Sequence, residues 1–163
     1  MQSVIRCVVT TAFLLGSAFG QNQPATKEHD HDLTHRGDQG MGFPQDKTTH
    51  HFFLLADGGL IQVTANDGND KASVDHIRMH LEHISRAFQS GDFNIPGFVH
   101  DQIPPGVPTM TKLKGQIGYT YEELARGGRV VIKSKNAEAV AAVHDFLRFQ
   151  IKEHETGDPL VVK

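Results

Sequence analysis

The sequence predicts an α+β fold in which a ββα unit is used twice, giving a four-stranded antiparallel sheet with two helices on one face. Three observations predict it. Two pairs of strand-like runs each flank a glycine pair, at Asp57-Gly58-Gly59 and at Gly127-Gly128. Each pair is followed by a long run with helical periodicity. Both helical runs end in the same way, at Ser90-Gly91-Asp92 and at Thr156-Gly157-Asp158, as a duplicated unit requires.

The chain begins with a segment that reads as a removable export signal, residues 1–20. Arg6 supplies the positive end, Cys7 to Phe19 is mostly apolar, and Ala18-Phe19-Gly20 is a small-x-small cleavage site before Gln21. The expected destination is the periplasm or the outside of the cell. The only cysteine, Cys7, leaves with this segment, so the mature chain has no disulfide and no thiolate ligand. Residues 21–47 hold Pro24, His29, His31 and His35 without apolar periodicity, and read as a flexible N-terminal arm.

Residues 48–163 form the expected single domain. Its first ββα unit, 48–92, has strands at Thr48 to Ala56 and Leu60 to Asn66, then a helix from Lys71 to Ser90. At 100° per residue, Ile77, Leu81, Ile84 and Phe88 fall on one stripe about 60° wide. Residues 93–115 carry Pro96, Pro104, Pro105 and Pro108 and read as a stiff Pro-rich loop. The second unit, 116–158, has strands at Gln116 to Ala125 and Arg129 to Ser134, then a helix from Ala137 to Thr156 with Asn136 as its N-cap. Val140, Val143, Leu147 and Ile151 form its apolar stripe. Phe52, Leu54, Ile61 and Val63 share a sheet face with Ile117, Tyr119, Val130 and Ile132. The other face carries His51, Phe53, Leu55, Gln62, Thr64, Glu122, Val131 and Lys133. Phe53, Leu55 and Val131 are apolar enough to point to a homodimer or another partner on that open face.

Composition excludes several classes. The 16 basic and 19 acidic residues give a net charge of −3, without the clustered excess of Lys and Arg that nucleic-acid binding needs. No run of about eighteen apolar residues is present, so no transmembrane segment is expected. Histidine is the outlier, with 11 residues against one cysteine and no tryptophan.

Asp75-His76-Ile77-Arg78-Met79-His80-Leu81-Glu82-His83 places His76, His80 and His83 at i, i+4 and i+7, on a helical stripe about 60° wide. Imidazoles one turn apart suit chelation of a transition metal, with bonds of about 2 Å. His51, or its neighbour His50, and His100 are the natural sources of a further ligand. Neutral imidazoles without thiolate favour copper or zinc over calcium or magnesium, and Met79 or Met110 would favour copper. Such a stripe also occurs as a plain polar flank, and Arg78, Glu82 and Arg86 are ordinary helix-surface residues. The zinc-protease spacing is absent, because Glu82 precedes His83 rather than following His80.

Three functions follow. The first is an exported protein that binds copper or zinc through His76, His80 and His83, completed by His51 or His100, with bis-histidine haem standing behind those ions. The second is a small enzyme with a pocket under the Pro-rich loop, His100 as base and Asp101 as its orienter. The third is a partner-binding or dimeric envelope module without catalysis. No serine or cysteine nucleophile motif supports the second, and no Cys-x-x-Cys-His permits covalent haem.

The runs Lys47-Thr48-Thr49-His50-His51-Phe52, Ile77-Arg78-Met79-His80-Leu81, His100-Asp101-Gln102-Ile103-Pro104-Pro105-Gly106-Val107 and His144-Asp145-Phe146-Leu147-Arg148-Phe149-Gln150-Ile151 carry a resemblance. With them, nearly the whole mature chain resembles a family of small secreted bacterial proteins with no established function. The resemblance implies a bacterial exported protein and brings no mechanism. Some of that family carry an aspartate carbamoyltransferase label, but the Ser-Thr-Arg-Thr-Arg phosphate loop of that enzyme does not occur in this chain.

Overall fold

A computed structural model of the chain describes residues 35–162. The expected export signal at 1–20, and residues 21–34 of the expected arm with His29 and His31, lie outside the described residues. The elements are α1 (35–41), a 3-10 turn at Gln45–Lys47, β1 (Thr48–Leu55), β2 (Gly58–Ala65) and α2 (Lys71–Ser90). After them come α3 (Asn94–His100), α4 (Val107–Lys112), a second 3-10 turn at Lys114–Gln116, β3 (Ile117–Leu124), β4 (Gly127–Ser134) and α5 (Ala137–Glu153).

The four strands form one antiparallel sheet in the order β1-β2-β4-β3, so the two hairpins join along their second strands. Each hairpin turn holds two residues, Ala56-Asp57 and Ala125-Arg126, and the glycine pairs open the second strands instead of forming the turns. Close approach explains the glycines. Gly58 (φ 148) and Gly127 (φ 158) have no room for a Cβ, which would strike the Ile132 and Val63 carbonyls respectively. Each turn also satisfies the far end of the other hairpin, since Ser134 N–H donates to the Asp57 carbonyl and Ala65 N–H to the Arg126 carbonyl, both central groups.

The long helices start on side-chain caps. Asp70 accepts from Ser73 N–H, and Asn136 accepts from Glu138 and Ala139 N–H. Helix α2 stops at left-handed Gly91. Helix α5 ends at Glu153, earlier than expected, because the chain leaves through Glu155 (φ 48) and Gly157 (φ 71). Ile77, Leu81, Ile84 and Phe88 are buried, as are Val143, Leu147 and Ile151, and each large side chain contributes roughly 1.5–3 kcal/mol. The helices exchange partners: α2 lies mainly on β3 and β4, and α5 mainly on β1 and β2.

Two expectations are corrected. The Pro-rich segment forms α3 and α4 rather than a loop, because Pro96 is the third residue of α3 and Pro108 the second of α4, where a missing N–H does no harm. The second part of the expected arm is fixed to the domain. Phe43 is 2% exposed, Arg36 Nε donates to the Val99 carbonyl and Gln45 N–H donates to Asp38. Among the described residues, no helix is long and apolar enough to cross a membrane.

Candidate functional site: a four-histidine cavity

Strand alternation separates the two histidines of β1. His50 shares the inner face with Phe52 and Leu54, and His51 shares the outer face with Phe53. His51 Nδ1 lies 3.0 Å from Asp158, whose side chain is 7% exposed and also accepts from Phe52 N–H and Thr156 Oγ1. That pairing holds His51 away from the inner layer.

The helical stripe divides as well. His76 and His83 are exposed, whereas half-buried His80 turns toward the core, edge-on to Phe43 at 5.7 Å between ring centroids. Beyond it, the inner layer encloses a cavity of about 60 Å³ between β1, α2, α3 and the end of α5. Four histidines reach it: His50 from β1, His80 from α2, His100 from the end of α3, and His154 at the C-cap of α5. Met41 brings a thioether, Gln150 an amide, and the rest of the wall is apolar, with Phe52, Val63, Leu81 and Phe146 among its members.

The rings form a connected cluster. His50 stacks on His154 at 5.6 Å with 8° between planes, and His100 meets His154 edge-on at 5.1 Å. Phe43 and Phe52 flank the stack. His100 Nε2 donates to Gln150 Oε1 at 3.1 Å, and its Nδ1 lies 3.7 Å from a Glu153 carboxylate oxygen. Among the described residues, His50 Nε2, His100 Nδ1 and Gln150 Nε2 are sealed from solvent without a hydrogen-bond partner, as are the Tyr119 and Tyr121 hydroxyls. Buried polar atoms without partners are uncommon and call for a reason.

Burial sets the charge of these rings. It pushes His50 down to about 4, with His51 adding to the shift, and His80 down to about 4, with His50 and His83 adding. His154 falls to about 3 through burial and then through His50 and His100. His100 is lowered by burial too, against the opposing pull of Gln150 and Glu153. At neutral pH these imidazoles are uncharged, with lone pairs available and little basicity.

The duplication supplies a reference for this corner. Equivalent positions lie 69 residues apart in the strands (Gly58 and Gly127) and 66 apart in the long helices (Gly91 and Gly157). On that register His50 corresponds to Tyr119, His154 to Phe88 and His80 to Phe146. The second set packs as an aromatic corner, with Phe88 edge-on to Tyr119 at 5.8 Å and to Phe146 at 5.9 Å, and with the Tyr119 hydroxyl buried without a partner among the described residues.

Of the residues anticipated from sequence, the structure gathers His50, His80 and His100 at the cavity and leaves His51, His76 and His83 outside it. His100 and Asp101 diverge: Asp101 is exposed at a left-handed position (φ 52), 3.4 Å from Arg36, while His100 is buried. His144 is half-buried and bonds through Nε2 to the Leu55 and Gly58 carbonyls, a structural tie between α5 and the first hairpin. His154 lies on the core-side face of the second helix by its phase, and its alignment with Phe88 marks it as inward-facing, but its spacing offers no sign of a ligand role. Among the described residues, no group of three or more His, Cys, Asp or Glu side chains is arranged to hold a metal ion as it stands. No protein-family model matches the chain, and neither the curated proteins nor the solved structures include a match to it.

Proposed function

We propose that this chain is an exported transition-metal binder that takes copper, in preference to zinc, into the four-histidine cavity. The observation that supports it is the contrast within the duplicated fold. The corner built from Tyr119, Phe88 and Phe146 in one half is built from His50, His154 and His80 in the other. Packing alone is met by the aromatic version, so the imidazoles answer a different demand.

Their chemistry fits a metal. Ligation needs neutral imidazole, and burial keeps His50, His80 and His154 neutral well below pH 6, so protons compete weakly for the donors. Two imidazoles sharing an ion with bonds of ~2.1 Å lie about 5 Å apart between centroids. His100 and His154 at 5.1 Å, and His50 and His154 at 5.6 Å, have that spacing, and because His50 and His154 are stacked with 8° between planes, binding one ion requires their rings to turn. Copper is favoured by the thioether of Met41 and by the scarcity of anionic donors, since Cu(I) is soft, singly charged and content with two or three ligands. The room is far below the roughly 300 Å³ at which organic ligand pockets begin, which disfavours haem. In the enzyme reading Asp101 cannot be the orienter of His100, because Asp101 faces Arg36; the carboxylate beside His100 is that of Glu153.

The test is elemental analysis of mature protein folded in its exporting compartment, beside a variant carrying His50→Tyr and His154→Phe, which copies the other half. About one equivalent of copper in the parent and none in the variant is expected. Metal-free parent protein, or full loading of a folded variant, overturns the reading. A Soret band would replace copper by haem.

A further inference from the structure

We infer that the ion reaches the cavity across the face between α1 and α2, by way of His76, Met79 and His83. This inference rests on the cavity being the metal site. An open groove of about 340 Å³ runs between residues 39–42 and α2, and His76, Met79 and His83 line it. Met41, His80 and Ile95 line both this groove and the cavity, so one imidazole and one thioether belong to both spaces.

The donors are graded in exposure. Met79 is 61% exposed, an unbranched apolar side chain with little packing role, and His76 and His83 beside it are exposed too. His80 is half-buried, one turn from each histidine, and His50 lies in the cavity beyond. A soft cation can therefore pass inward by ligand exchange. One metal–nitrogen or metal–sulfur bond forms as another breaks, and neither an electron nor a proton is transferred. The wall is fixed on its outer side, since Arg36 anchors α1 to α3 through the Val99 carbonyl and Asp101.

A second groove, of about 250 Å³, also touches the cavity, through His50 and His154. It is lined by threonines, Gln45 and His51, has no thioether, and its His51 is held by Asp158. It serves as the internal control.

The experiment follows the transfer of Cu(I) from its complex with a coloured chelator to the apo full-length mature protein, by the fading of the chelator band. Three proteins are compared: the parent, a variant with His76→Ala, Met79→Ala and His83→Ala, and a variant with His51→Ala. The triple variant changes only exposed side chains, so the fold is retained. Transfer to the triple variant is expected to be about tenfold slower with the same final stoichiometry and affinity, because surface donors act on association. The His51→Ala variant is expected to load at the parental rate. Parental loading of the triple variant overturns the route and leaves the cavity reading intact. A lower final stoichiometry makes the surface groups the ligands themselves and also overturns the route. A parent that takes no copper at all removes the cavity reading and the route together.

Discussion

The two ββα units build the same corner twice and fill it differently. In the half made by β3 and α2, Phe88 stacks on Phe93 at 4.4 Å and meets Tyr119 and Phe146 edge-on. In the half made by β1 and α5, His154, His50 and His80 occupy the equivalent positions beside a cavity. Aromatic edges of this kind add about 0.5–1.5 kcal/mol per pair to the burial itself. Imidazoles in the same places lose solvation, and His50 Nε2 gains no hydrogen-bond partner among the described residues, as the Tyr119 hydroxyl of the aromatic corner also gains none. The backbone accepts either filling. The aromatic corner adds ring-to-ring contacts to its burial, and the other corner places imidazole nitrogens in the equivalent positions.

Acid should separate the two corners most strongly. His50, His80 and His154 titrate far below the ~6.5 of an unfolded histidine, so the unfolded chain takes up protons first as pH falls. The stability tied to their neutral form is complete above about pH 6.5. It is lost as pH falls through about 4 for His50 and His80 and about 3 for His154, by up to about 1.4 kcal/mol per pH unit for each ring. Denaturant unfolding from pH 7 to pH 4 checks it, and a flat profile breaks the contrast. The next effect is Phe88→Ala, which opens the aromatic corner and is expected to destabilise by about 3–5 kcal/mol in the same assay. The smallest is the reverse exchange. His154→Phe makes the imidazole corner resemble its counterpart and is expected to raise stability by about 0.5–2 kcal/mol at pH 7, while weakening the acid response. A large loss on that substitution would mean that His154 is needed for packing.

Much of the fold was legible because strand alternation and helical phase are local. They place Phe52 against Ile61 and put Ile77, Leu81, Ile84 and Phe88 on one face without any knowledge of the partner element. The glycine pairs were legible as landmarks but not in their role. Their need for space comes from Ile132 and Val63, which are distant in sequence. The Pro-rich segment was misread because proline forbids helix interiors but not first turns, and α3 and α4 are little more than first turns.

The site was half legible. Helical phase puts His80 roughly 70° from the centre of the core stripe, and His76 and His83 roughly 110° and 130° away. That difference already separates the buried ring from the exposed ones. What phase cannot give is convergence, since His50, His80, His100 and His154 come from four elements. His50 is visible as an alternative to His51 on β1, and the alignment of the two halves, with Tyr119 and Phe88 as counterparts, adds His154 beside it.

The exchange of helices between hairpins bears on how the chain is made. During synthesis β1, β2 and α2 emerge before β3 and β4, so α2 lacks the two strands it mainly covers and β2 lacks its second neighbour, β4. Most of the burial of α2 therefore waits for the second half. A cut between α2 and β3 would leave two fragments, each exposing the surface that the other was built to cover.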